Sequence, residues 1–153
     1  MKNSKKDNRS DLAFSLHPRL ESDSIEIDEL VLSNLRLHNN AGWPWFILIP
    51  RITDLREYHE LQPEQCAMLS NETRIVSKFI LHHFSVHKIN IGALGNIVPQ
   101  FHFHVIGRSS DDPAWPGPVW GSLANSVYRP DDIQNIAIEW KKFKEPYFRE
   151  FQQ

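Results

Sequence analysis

Cysteine is nearly absent: Cys66 is the only one in 153 residues. One cysteine cannot close an intrachain disulfide, so nothing in the fold depends on cross-links, and a reducing compartment suits the chain. Its neighbours Ala67, Met68 and Leu69 point to a buried, inert thiol. Long apolar runs are absent too. The longest, Trp43 to Pro50, falls far short of the roughly 20 residues that cross a bilayer. The first ten residues, MKNSKKDNRS, hold no apolar h-region, so no signal peptide is expected and the cytoplasm is the default location. No run of Lys or Arg resembles an electrostatic footprint for nucleic acid, and the formal net charge is −2, so nucleic acid is not an expected partner. An anionic ligand would have to be held by backbone dipoles and a few polar groups.

What is present is an ordinary globular composition, 41% apolar and 24% charged, at a length that suits one domain. Residues 1 to 10 read as a solvated, disordered tail and residues 11 to 153 as a single domain. Ile25 and Ile27 alternate with Glu26 and Asp28, and Leu35, Leu37 and Asn39 alternate with Arg36 and His38, which predicts two strands. Asn39 to Gly42 reads as a turn, and Trp43 to Ile49 as a strand covered on both faces and stopped at Pro50. Pro63 and Glu64 mark a helix entrance, and Leu69, Val76, Ile80 and Phe84 carry one amphipathic helix to about residue 84. Lys88 to Ala93 and Phe101 to Ile106 are further strands. The Pro- and Gly-bearing stretch from Ser109 to Gly121 is an ordered loop, and Asp131 and Asp132 open a shorter helix to about Phe143. The order β-β-β-α-β-β-α predicts an α+β fold, an antiparallel sheet with helices packed on one side.

The chemistry concentrates between Asn96 and Arg108. On a strand alternate side chains share a face, so Gln100, His102 and His104 point one way and Phe101, Phe103 and Val105 the other. The aromatic side suits packing under the long helix, which would mount the polar side on a rigid core. Three readings of the pair are open. Two histidines on a strand face can be plain surface residues. They can supply two imidazoles to zinc, although His82, His83 and His87 stand at the far end of a helix and add no third ligand at a convincing spacing; His82 and His87 read as exposed and His83 as lying near the buried face. Or an imidazole can be a nucleophile toward phosphorus, because Asn90 to Asn96 contains glycines that let backbone N–H groups face an anion.

The segment Gln100-Phe101-His102-Phe103-His104-Val105-Ile106 resembles the His-φ-His-φ-His-φ-φ motif of the histidine triad family, φ being apolar. The likeness extends from about residue 25 to 108 and takes in the proline-stopped strand FILIP and the long helix. It is similar in particular to a bacterial subgroup described as diadenosine polyphosphate hydrolases, through Gln100 and the segment DDPAWPGPVWG, Asp111 to Gly121. The resemblance implies a nucleotide hydrolase or nucleotidyl transferase acting at an α-phosphate. His102 would be the nucleophile that forms a nucleotidyl-histidine, and His104 a phosphate contact. Asn39 would hydrogen-bond the ribose hydroxyls; Asn90 and Asn96, with Gly95, would hold phosphate oxygens; Trp115 would border the nucleotide cleft. No cofactor is implied, although a magnesium ion arriving with a polyphosphate is compatible with the chemistry. A homodimer is implied, and Trp43, Trp45, Trp115 and Trp120 read as an exposed aromatic inventory that permits one. Three departures stand out. Gln100 replaces the first histidine, and an amide cannot act as acid or base. Trp45 stands where a further histidine often begins the FILIP-like strand. Thr53 ends the PxxH pattern without a histidine. The rival from another class is a nucleotide-binding regulatory module with little catalysis.

Overall fold

A computed structural model describes residues 13 to 149 of the chain; the tail expected over residues 1 to 10 lies outside them. Five antiparallel strands form one sheet: β1 (Ser24–Glu29), β2 (Ser33–His38), β3 (Trp45–Pro50), β4 (Lys88–Ala93) and β5 (Phe103–Arg108), in the order β1-β2-β3-β5-β4. Helix α1 (Pro18–Asp23) precedes β1, α2 (Pro63–His83) joins β3 to β4, and α3 (Pro130–Arg149) closes the chain. The α+β architecture expected from the sequence is the one observed.

The long helix starts where its local chemistry dictates. Pro63 sits at the first turn, and Gln62 and Gln65 form a reciprocal capping box in which the Gln62 N–H donates to Gln65 at 2.8 Å. Its apolar stripe, Leu69, Val76, Phe79 and Ile80, packs against Leu35, Leu37, Phe46, Leu48 and Val105 on one face of the sheet. Trp140 of α3 completes this layer, and its indole N–H donates to Asp28 of β1 at 2.7 Å. The opposite face carries its own smaller core of Leu20, Trp43, Trp45, Ile47, Ile49, Val98, Ile106 and Val119. Both faces of β3 are therefore covered, and all six of its residues are buried.

Several boundaries differ from the sequence expectation for identifiable reasons. β3 begins at Trp45, after Pro44, which has no N–H to give a ladder. β5 begins at Phe103, because the Phe101 N–H donates to the Leu55 carbonyl in a loop instead of to a neighbouring strand. α3 runs past Phe143 to Arg149, since Phe143 and Tyr147 continue the half-buried apolar stripe. Helix α1, unforeseen, is a single short turn capped by the His17 side chain, which accepts from Arg19 N–H, and it covers the second face with Leu20. The tryptophans are not an exposed set: Trp43 is 1% and Trp45 7% exposed, Trp120 is half-buried, and Trp115 alone is exposed. Trp43 and Trp45, with Trp120 packed against them, build the second core. No helix among the described residues is long and apolar enough to cross a membrane.

Candidate active site

The alternation along β5 holds. Phe101, Phe103 and Val105 face the layer under α2, with the two phenyl rings stacked at 6.3 Å. His102 and His104 face the other way, their rings 4.9 Å apart, and both line a cleft of about 540 Å³. Leu20 and Asp23 of the α1 region, His38, Trp43 and Trp45, Asn96 to Val98, and Val119 to Ser122 are among the residues that form its walls. Aromatic rings surround the two imidazoles on this face, and the polar side chains of Arg19, Asp23, Asn40 and Asn96 stand among them.

The hydrogen bonds assign a tautomer to each ring. His102 Nδ1 lies 2.7 Å from the Gln100 carbonyl oxygen. A carbonyl only accepts, so Nδ1 carries the proton and the free lone pair is on Nε2. His104 is the reverse. The Trp45 indole N–H donates to His104 Nδ1 at 2.8 Å, and an indole N–H can do nothing else. The proton of a neutral His104 is therefore on Nε2, which is buried and has no hydrogen-bond partner among the described residues. Burial lowers the pKa of His102, opposed by its bond to the Gln100 carbonyl and assisted by His17. Burial, reinforced by the charges His102 and His38 would carry, pushes His104 down to about 3. At neutral pH one ring thus offers an unprotonated nitrogen and its neighbour an N–H.

The turn before β5 presses against His102. A Cβ on Gly95 would meet the Val98 carbonyl oxygen at 3.1 Å and His102 Cε1 at 3.8 Å. Gly95 and Asn96 line a second, small pocket of about 140 Å³ with Arg56, Glu57 and His102, and Asn96 also lines the main cleft. The loop from Ser109 to Gly121 is anchored by Arg108, which is 1% exposed. Its guanidinium donates twice to Asp112, at 2.7 and 3.0 Å, and also to Asn90 Oδ1 and the Gly117 carbonyl. Burial pushes Asp112 up, but the Arg108 bonds and charge outweigh it and hold the carboxylate well below its usual range. This anchored loop delivers Trp120, whose ring meets His104 edge-on at 5.4 Å and Trp45 at 6.1 Å.

Of the residues singled out from the sequence, the structure brings His102, His104, Gly95 and Asn96 together. The others are elsewhere. The Gln100 amide points to the N-terminal segment, accepting from His17 N–H and donating to the Ser15 carbonyl, both at 2.9 Å. Asn39 Oδ1 accepts from Tyr128 N–H at 3.2 Å, and Asn39 does not line the cleft. Asn90 is taken by Arg108. Trp115 lies against His87 and under the Arg108 guanidinium, outside the cleft, and Trp120 occupies the border position expected of it. His38 and Trp45 were missed as lining residues. Their rings stack at 4.4 Å, and only the strand register, with Trp45 opposite Ile106, puts them on the face of His104. His83, as expected, lies on the buried side, stacked on Phe79 at 5.2 Å, while His82 and His87 are exposed. Among the described residues no three His, Cys, Asp or Glu side chains converge to hold a metal ion.

The profile of the HIT domain matches residues 19–111, which span α1, the whole sheet and the start of the anchored loop. The chain belongs to the HIT family. Solved structures agree. A histidine triad protein from Sinorhizobium meliloti is 44% identical with a TM-score of 0.81, covering 84% of this chain and 96% of its own. One from Bradyrhizobium japonicum is 39% identical with a TM-score of 0.82, covering 86% and 98%. A third, from Marinobacter aquaeolei, is 38% identical with a TM-score of 0.80, covering 88% and 98%. No curated protein matches the sequence. HIT-domain proteins are generally nucleotide hydrolases or transferases. In this HIT chain the second and third positions of the motif are histidines at the cleft, while the first is an amide turned away from it.

Proposed function

We propose that the chain hydrolyses a dinucleoside polyphosphate or related nucleotide at its α-phosphate through a covalent intermediate on His102. One observation carries this reading: Nδ1 of His102 is committed to the Gln100 carbonyl, which leaves the Nε2 lone pair free on a ring that lines the cleft. In the first step that lone pair attacks phosphorus, the bond to the bridging oxygen breaks, and the leaving phosphate departs with the electron pair. The imidazole becomes a cation, stabilised by its Nδ1–H bond to the Gln100 carbonyl. Water then attacks phosphorus, the P–N bond breaks, its electron pair returns to Nε2, and one proton is released to solvent. The His104 Nε2–H and backbone N–H groups near Gly95 and Asn96 offset charge that gathers on the non-bridging oxygens. Magnesium enters this scheme only with the substrate.

The test is a covalent trap. Mixing protein with a nucleotide labelled at the α-phosphate and denaturing in base should leave label on His102. The His102→Ala variant should carry none and lose turnover on the order of several powers of ten. A variant that keeps ordinary turnover ends this mechanism.

A second reading, a nucleotide-binding module with little catalysis, is favoured by one fact: the Gln100 amide is engaged with Ser15 and His17 and brings no acid to the cleft. Label binding without a covalent adduct would establish it. The same fact sets a substrate preference. A polyphosphate leaves without protonation, whereas an amine leaving from a phosphoramidate needs a proton. Polyphosphate should be the faster substrate, and faster phosphoramidate cleavage would contradict the assignment. We further propose a homodimer formed through the open edge of β4, where Ile91 is 55% exposed.

A further inference from the structure

Trp45 does more than fill the second core. We propose that Trp45 is a positioning residue that locks His104 as a permanent Nε2–H donor for a phosphate oxygen. The inference rests on the reading above in one respect, that the cleft receives a phosphate.

An imidazole at position 45 could donate or accept and could itself take up a proton. An indole N–H only donates. At 2.8 Å from His104 Nδ1 it forces the lone pair onto that nitrogen and the proton onto Nε2. Accepting a bond at Nδ1 also polarises the ring and strengthens Nε2–H as a donor. Nε2 is buried, and no group among the described residues takes its hydrogen. A buried donor without a partner is costly, on the order of 1–3 kcal/mol, and a phosphate oxygen seated in the cleft that His104 lines would relieve that cost once the neighbouring rings make room for it.

Packing aims the indole. Trp45 is 7% exposed, with His38 stacked on its face at 4.4 Å and Trp43 and Trp120 against its edges at 6.4 and 6.1 Å. The β3–β5 register sets Ile47 opposite His104 and Trp45 two residues further, so the two side chains meet diagonally on one face. The titratable groups around His104 are His102 on its own strand and His38 on β2, with Asp23 acting on His38. Among the described residues no carboxylate hydrogen-bonds the ring. Nothing therefore draws a second proton onto His104, and burial opposes it. The site keeps a fixed donor although the first motif histidine is gone.

The experiment reads the tautomer directly. Long-range ¹H–¹⁵N correlation spectra of the ¹⁵N-histidine protein, without ligand, should show His104 protonated at Nε2 and His102 at Nδ1. In Trp45→Phe the His104 signal should move toward the Nδ1–H form. Turnover of a dinucleoside polyphosphate should fall about 10- to 100-fold, as when the partner that orients an active-site histidine is removed. Trp45→His restores a donor in a smaller ring and should turn over faster than Trp45→Phe. A role in packing alone reverses that order, because phenylalanine fills more of the tryptophan's space. A wild-type spectrum with the proton on His104 Nδ1, a Trp45→Phe spectrum unchanged from wild type, or Phe matching His in turnover each overturns the proposal. The wild-type spectrum needs no variant to fold and no turnover. If no nucleotide is hydrolysed at all, the reaction falls, and the spectrum alone decides the lock.

Discussion

His102 and His104 are the same side chain two residues apart, yet their surroundings give them opposite tautomers. One has a carbonyl at Nδ1, the other an indole N–H. The consequence for pH follows from His102. The nucleophile must be neutral, and burial lowers its pKa below the ordinary histidine value of about 6.5. Lowering the pKa of a base extends its neutral form to more acid solution. kcat/KM should therefore be flat through neutrality and fall only on the acid side of about 6.5, with a slope of one proton. A pH–rate profile checks this, and an acid limb centred above 7 would contradict it. His104 adds a stability effect of the same direction. Its folded value of about 3 lies below the unfolded value of about 6.5, so the unfolded chain binds the extra proton first. The stability tied to this group is complete above about 6.5 and is lost as the pH falls toward 3.

At the scale of elements, the site depends on how closely α2 seats on β5. The contact point is Gly107. A Cβ there would lie 2.6 Å from Ile80 Cγ2, 3.1 Å from Val86 Cγ2 and 3.2 Å from Pro44 Cγ. Three neighbours cannot all retreat in a packed core, so Gly107→Ala should destabilise by roughly 1–3 kcal/mol. Thermal unfolding measures this, and an unchanged midpoint would mean that helix and strand are more loosely seated than these three contacts imply. The seating also explains what the sequence made legible. The helix was readable because Pro63 and the stripe from Leu69 to Ile80 are local and periodic. The facing of His102 and His104 was readable because Phe101, Phe103 and Val105 alternate with them. Asn39 and Asn90 were not, since an amide beside a strand has no signature that separates a ligand contact from a bond to Tyr128 or Arg108. Trp115 and Trp120 lie in one loop of similar composition. Which of them reaches the cleft is set by the buried Arg108–Asp112 pair, a tertiary contact with no period to read. The partnership of Trp45 with His104 was hidden for the same reason, because it depends on a strand register between residues 59 positions apart.

At the scale of the whole molecule, the sheet has two edges among the described residues, and they are treated differently. β1 carries Glu26, Asp28 and Glu29, charges that discourage a second strand, and Asp28 is tied to Trp140 and Lys144 of α3. β4 carries one charge, Lys88, and leaves Ile91 and the following Leu94 55% and 43% exposed. Beside Ile91 lies a groove of about 220 Å³ formed with Tyr58, Leu69, Ser70, Thr73 and Phe103. An open edge next to an apolar groove is the arrangement that a second copy can close about a two-fold axis, strand against strand and Ile91 into the partner's groove. Because the operation is symmetric, one substitution is felt twice. Burying an isoleucine contributes about 1.5–3 kcal/mol, so Ile91→Asp should weaken a dimer by at least about 100-fold. Light scattering on a dilution series should show twice the chain's mass for the wild type and the chain's mass for Ile91→Asp. A wild type that stays monomeric at high concentration excludes the dimer. If Ile91→Asp stays dimeric, another surface holds the two copies together.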